Sequence, residues 1–190
     1  MRPSLTPRLI NGPFDDPGLF IPFFFQKRAF IFDLGHLHCL PPKELLKISH
    51  AFVTHTHMDH FIGFDYLLRI LLGRDKNLLL FGPSGFLKNI EGKVAGYAWN
   101  LVDNFDYPLS LQVTEVHPGF TLSRSYRCRD RFESAAEPIK RPFDGVLYEE
   151  PAVKISAAIL PEPAPNSRMA SPLTSSSEHW RATQREKRAE

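Results

Sequence analysis

The sequence predicts an α/β fold, a mixed sheet with helices packed on it, and three observations lead there. Two β-rich runs, at 20–25 and 29–34, are joined by the polar Gln26-Lys27-Arg28, a hairpin pattern. A strand, a loop and a helix follow one another through 50–72, and a strand, a turn and a helix through 78–104. Hairpins alone would give an all-β chain; strands alternating with helices add parallel pairing.

Each element has its own signal. The second run of the hairpin closes on Asp33-Leu34-Gly35. Pro41-Pro42 pre-sets the first turn of a short helix over 42–48, with Leu45, Leu46 and Ile48 as its apolar side. His50-Ala51-Phe52-Val53-Thr54 reads as a buried strand. From Phe61 to Leu72 the apolar residues recur at helical spacing, and Gly73 follows as a C-terminal cap. Leu78–Phe81 is a short strand stopped by Gly82-Pro83-Ser84-Gly85, a turn that lacks the lysine of a phosphate-cradling loop. The segment 86–104 reads as a helix weakened at Gly92 and Gly96, and 109–116, 146–149 and 153–159 read as strands.

Composition removes several function classes. The 190 residues carry 23 Lys+Arg against 21 Asp+Glu, and a net charge of +2 does not mark a surface that coats nucleic acid. Two cysteines, Cys39 and Cys128, lie far apart, which argues against a disulfide framework and fits a reducing compartment. The longest apolar run, 19–25, is interrupted by Pro22 and falls well short of the ~20 residues of a membrane span. With no signal-peptide pattern near Met1, the expectation is a cytoplasmic protein without membrane attachment. Two units are expected: a body over 1–160, and a Pro/Ser-rich tail over 161–190 that is disordered or weakly helical for want of apolar surface.

Function becomes legible at Thr54-His55-Thr56-His57-Met58-Asp59-His60, where three imidazoles and a carboxylate fall within six residues directly after a strand. Alternate residues of an extended loop share a side, so His55 and His57 point together, while Asp59 and His60 swing to a neighbouring position as the next helix begins. This is a metal-ligand pattern able to serve one ion or two. Imidazole and carboxylate without thiolate favour Zn2+, with Mn2+ and Fe as the other ions the set admits. The competing account, histidines merely packed or hydrogen-bonded, is weakened because four such groups gathered without a charge partner would be costly.

The run His55-Thr56-His57-Met58-Asp59-His60 resembles the HxHxDH signature of the metallo-β-lactamase superfamily. Phe32-Asp33-Leu34-Gly35 resembles that family's upstream strand with its orienting aspartate, and Phe81-Gly82-Pro83-Ser84-Gly85 resembles a turn of the ribonuclease Z branch. The resemblance covers about 10–160 and implies the N-terminal portion of an αβ/βα sandwich. It implies a metal-dependent hydrolase of phosphodiesterase or endoribonuclease type, with precursor tRNA or another phosphodiester as partner and a homodimer as assembly. His55 and His57 would hold one ion, Asp59 and His60 the second, with Asp59 also orienting the attacking water and Asp33 holding a ligand ring from behind. The family's later His, Asp and His are not found: after Ile159-Leu160 the chain reads Pro161-Glu162-Pro163. A second expectation is therefore a catalytically inactive fragment with an incomplete metal site.

Other histidines offer less. His117, at the end of the 109–116 strand, is a weak candidate for a further ligand; His36 and His38 read as a solvated turn and His179 as solvent-exposed. The stretch 124–131, with four arginines and one tyrosine, reads as a solvated β-ribbon before it reads as an RNA-binding module.

Overall fold

The computed structural model describes residues 5–151, 153–159 and 179–183. Eight strands form one sheet in chain order: β1 (Arg8–Leu9), β2 (Leu19–Pro22), β3 (Ala29–Phe32), β4 (Ile48–Phe52), β5 (Lys76–Gly82), β6 (Leu109–His117), β7 (Phe120–Arg127) and β8 (Ile139–Pro142). β3, β4, β5 and β6 run parallel, while β1–β3 and β6–β8 pair antiparallel. The sheet is mixed, as the alternation of strands and helices predicts. The parallel strands are joined by α1 (Pro42–Leu45), then α2 (Met58–Phe61) with α3 (Phe64–Leu71), then α4 (Phe86–Ala95). A second, antiparallel sheet contains β9 (Val146–Glu150), β10 (Val153–Ala158) and β11 (His179–Thr183).

Period-two alternation sorts the large sheet's side chains into two cores. On one side Ala29, Ile31, Ala51, Val53, Leu78, Leu80, Leu111 and Val113 meet Phe64, Leu67, Leu71, Phe86 and Ile90 of the helices. On the other, Phe30, Phe32, Phe52 and Phe81 meet Val153 and Ile155 of the small sheet. Helix layer, large sheet and small sheet are the layers expected of the N-terminal portion of a metallo-β-lactamase-type sandwich.

Boundaries differ from the expectations where packing outweighs local pattern. The helix expected over 61–72 is two pieces, α2 and α3, meeting at Gly63. A side chain at 63 would meet the Gly35 carbonyl at 2.2 Å, so glycine lets this junction sit against the end of β3. α1 stops at Leu45 because Ile48 is taken into β4. The helix expected over 86–104 ends at Ala95, where Gly96 caps it. The arginine-rich ribbon is β7, with Tyr126 buried and Arg124 paired with Glu91 of α4. The tail expected over 161–190 lies outside the described residues except at 179–183, which pair with β10 as a strand and not a helix.

Candidate metal loop at the carboxyl edge of the sheet

Four parallel strands bring four loop segments to one edge of the sheet: Asp33 after β3, 53–57 after β4, 83–85 after β5 and 118–119 after β6. Ligand-bearing loops of open parallel sheets gather at this edge. Val53 donates to the Phe81 carbonyl at 2.8 Å, which carries the β4 exit alongside β5 before the chain turns into α2.

Three rings of the histidine run meet there. The His55 and His60 centroids are 4.0 Å apart, and those of His55 and His57 4.5 Å. Asp59 Oδ2 lies 3.4 Å from His60 Nε2. His57 and Asp59 are exposed, while His55 and His60 are half-buried, so the group faces solvent from a supported base.

That base is Asp33, which is buried and holds φ at 59°, in the left-handed region that aspartate tolerates better than most residues. One carboxylate oxygen accepts the Thr54 backbone N–H at 2.7 Å and lies 2.9 Å from the Thr54 hydroxyl; the other lies 2.9 Å from His60 Nδ1. Because a carboxylate only accepts, the hydrogens come from the Thr54 hydroxyl and from His60 Nδ1. The Thr54 oxygen, having donated, takes its next hydrogen from His55 Nδ1, 2.9 Å away. One aspartate thus orients both rings, with Nδ1 of His60 turned to its carboxylate and Nδ1 of His55 to Thr54, while Nε2 of His60 faces Asp59. Burial, reinforced by the neighbouring His60 and His57, pushes the His55 imidazole below its ordinary value, which favours its neutral form.

The loop is also tied to its surroundings through the backbone and through helix α4. Leu34 donates to the His60 carbonyl at 2.8 Å, and Gly63 donates to the Leu34 carbonyl at 2.7 Å. Asn89 of α4 donates to Thr56 Oγ1 at 2.8 Å. The donor types suit a borderline divalent ion, yet among the described residues no group of three or more His, Cys, Asp or Glu stands in an arrangement that could hold one. The rings are gathered but do not form a closed site.

The remaining histidines have other engagements. His117 Nε2 lies 2.7 Å from Glu115 Oε1 and its ring stacks on Phe120 at 4.5 Å. Glu115 is buried, and its other oxygen accepts the Leu87 N–H at the start of α4. His38 stacks on Tyr66 at 3.9 Å and His36 lies 5.4 Å from His38, both exposed. His179 lies in β11. Sequence reasoning passed over Thr54, Asn89 and Glu115. Glu115 alone left a signal, a carboxylate on the core-facing positions of Leu111-Gln112-Val113-Thr114-Glu115.

A mixed sheet that delivers a His-x-His-x-Asp-His loop from a parallel strand end is the arrangement that the resemblance to the metallo-β-lactamase superfamily implies. In sequence the chain is similar to proteins named ribonuclease Z. It is 29% identical over 133 residues to ribonuclease Z of Deinococcus radiodurans, a match covering 69% of this chain and 40% of that protein. It is 36% identical over 80 residues to ribonuclease Z of Methanocaldococcus jannaschii, covering 39% of this chain and 25% of that one. Human tRNase Z, short form, aligns over 80% of this chain and 58% of its own at 16% identity, with a TM-score of 0.44. No family model matches the chain. The chain spans 40% or less of the length of these two ribonuclease Z relatives.

Proposed function

We propose that this chain contributes the His55, His57, Asp59 and His60 loop of a zinc-dependent phosphodiesterase of ribonuclease Z type, acting on RNA such as a 3′-extended tRNA. The observation carrying this reading is the gathering of three imidazoles and a carboxylate on one solvent-facing loop, with Asp33 holding His60 from behind. His55 and His60 would offer Nε2 to the ion and His57 its ring, with Asp59 completing the set. Mn2+ and Fe are the alternative ions for these donors. A bound ion supplies activation of water near neutral pH and neutralises charge on the phosphoryl group. The chain's own residues would do the rest: Asp33 keeps two rings oriented, and Asp59, exposed beside His60, would orient the attacking water and accept its proton at Oδ2.

Cytoplasmic location and homodimer assembly belong to the same reading. Free Cys39 and Cys128 support the first, and no helix among the described residues is long and apolar enough to cross a membrane.

A second reading, a metal-binding but catalytically inactive chain, is favoured by the absence of a closed three-ligand group among the described residues. One experiment separates the two. Cleavage of bis(p-nitrophenyl) phosphate and of a 3′-extended tRNA is measured with Zn2+ or Mn2+ supplied, beside metal content, for the chain and its His57→Ala variant. Turnover lost by at least 100-fold in the variant supports the enzyme. Metal binding lost in the variant without turnover in either supports the inactive chain. Neither binding nor turnover in the parent overturns both.

A further inference from the structure

Helix α4 stands beside the histidine loop as a post fastened on several sides. Its apolar face, Phe86, Leu87, Ile90 and Val94, is buried in the helix-side core. Its first turn is held by the buried Glu115 of β6, which accepts the Leu87 N–H at 2.9 Å. Its middle is held by Glu91, which accepts from Arg124 and from Tyr126 of β7, each at 2.6 Å. Its last turn is held by Lys93, 2.7 Å from Asp65 of α3. Such a helix moves little relative to the sheet, because its displacement would break contacts to β6, β7 and α3 together.

From this post Asn89 reaches the loop, its side-chain N–H donating to the hydroxyl oxygen of Thr56 at 2.8 Å. Thr56 sits between His55 and His57, the two residues whose shared side depends on an extended backbone through 55–57. Asp33 and Leu34 fix the two ends of the loop, at Thr54 and at His60. Rotation of the Thr56 peptide units would part the two rings, and a bond from the helix to the Thr56 side chain resists that rotation.

We infer that Asn89 is a positioning residue, holding Thr56 to α4 so that His55 and His57 present their rings together. The inference rests on the metal-loop reading for its consequence, yet its mechanical part stands without any ion. Outer partners of ligating loops change metal affinity by about 10–100-fold when removed, because they set where the ligand points before the ion arrives.

The test measures two things in the full chain: Zn2+ affinity by competition with a chromophoric chelator, and backbone amide exchange at 55–60. Asn89→Ala is expected to weaken Zn2+ binding about tenfold and to speed exchange at 55–60 by a similar factor, with the thermal midpoint nearly unchanged. Thr56→Val should reproduce both effects, Thr56→Ser, which keeps the accepting hydroxyl, should match the parent in both, and the double variant Asn89→Ala/Thr56→Val should be no worse than either single change. A general loss of helix packing would instead lower the thermal midpoint and spare none of the exchange across α4. If the parent binds Zn2+ and His57→Ala does not, while Asn89→Ala matches the parent in affinity and exchange, the positioning role is overturned and the metal reading survives. If the parent binds no Zn2+, the metal reading fails, and unchanged exchange in Asn89→Ala overturns the positioning role as well.

Discussion

The two faces of the eight-stranded sheet are built from alternate residues of the same strands, yet they are different materials. On the helix face the central strands β3, β4 and β5 are aliphatic and hold Ala29, Ile31, Ala51, Val53, Leu78 and Leu80 against α3 and α4. The opposite face is aromatic: Phe32, Phe52 and Phe81, in register on three neighbouring strands, stack at 4.8 and 5.0 Å. It also buries polar groups. His50, 6% exposed, lies 4.5 Å from the Phe30 ring and 4.4 Å from Tyr148, while Arg28 spans to Tyr148 and Glu150 of the small sheet.

The largest expected effect tests the aromatic ladder. Phe52→Ala removes the middle ring and should lower unfolding free energy by about 4 kcal/mol, read by urea titration. Leu67→Ala on the helix face should lower it by about 3 kcal/mol, and the two losses should add, since the sheet separates them. A combined loss well above the sum would show that the faces act as one core.

Next comes pH. Burial, then the Arg28 cation, pushes the His50 imidazole down to about 4 from its ordinary 6.5, with Lys76 adding to this and Glu150 opposing it. The folded state therefore binds the proton less tightly than the unfolded chain. Stability from this group is complete above pH 6.5 and falls as pH drops from 6.5 towards 4, by about 3 kcal/mol in all. Thermal unfolding across that range should lose this component in His50→Leu. An unchanged slope would mean that the small sheet does not seal His50 from water.

A smaller effect belongs to the carboxyl edge where both faces end. Asp33→Ala leaves the Thr54 N–H and the His60 Nδ1–H without their acceptor and should cost about 2 kcal/mol. It should also reduce Zn2+ affinity, measured by chelator competition, whereas Leu67→Ala should not. The smallest is Lys154→Ala, which breaks the exposed pair with Glu149 on the small sheet and should shift stability by less than about 0.5 kcal/mol by urea titration.

Much of this protein was legible in its sequence wherever the signal is local. A histidine run directly after an apolar strand needs only chain direction to put its rings on one loop. The 2-residue period of β3, β4 and β5 assigns each side chain to a face, Pro42 starts α1, and Gly73, at φ 72°, follows the end of α3. Contacts between residues distant in the chain were decided only by tertiary structure. Asp33 meets Thr54 across 21 positions, Asn89 meets Thr56 across 33, and Glu115 meets Leu87 across 28. The break between α2 and α3 came from the same source, because Gly63 presses on Gly35 and no helical period records that approach. Side-chain periodicity reports the direction in which a residue faces, and the partner it finds depends on how the layers are stacked.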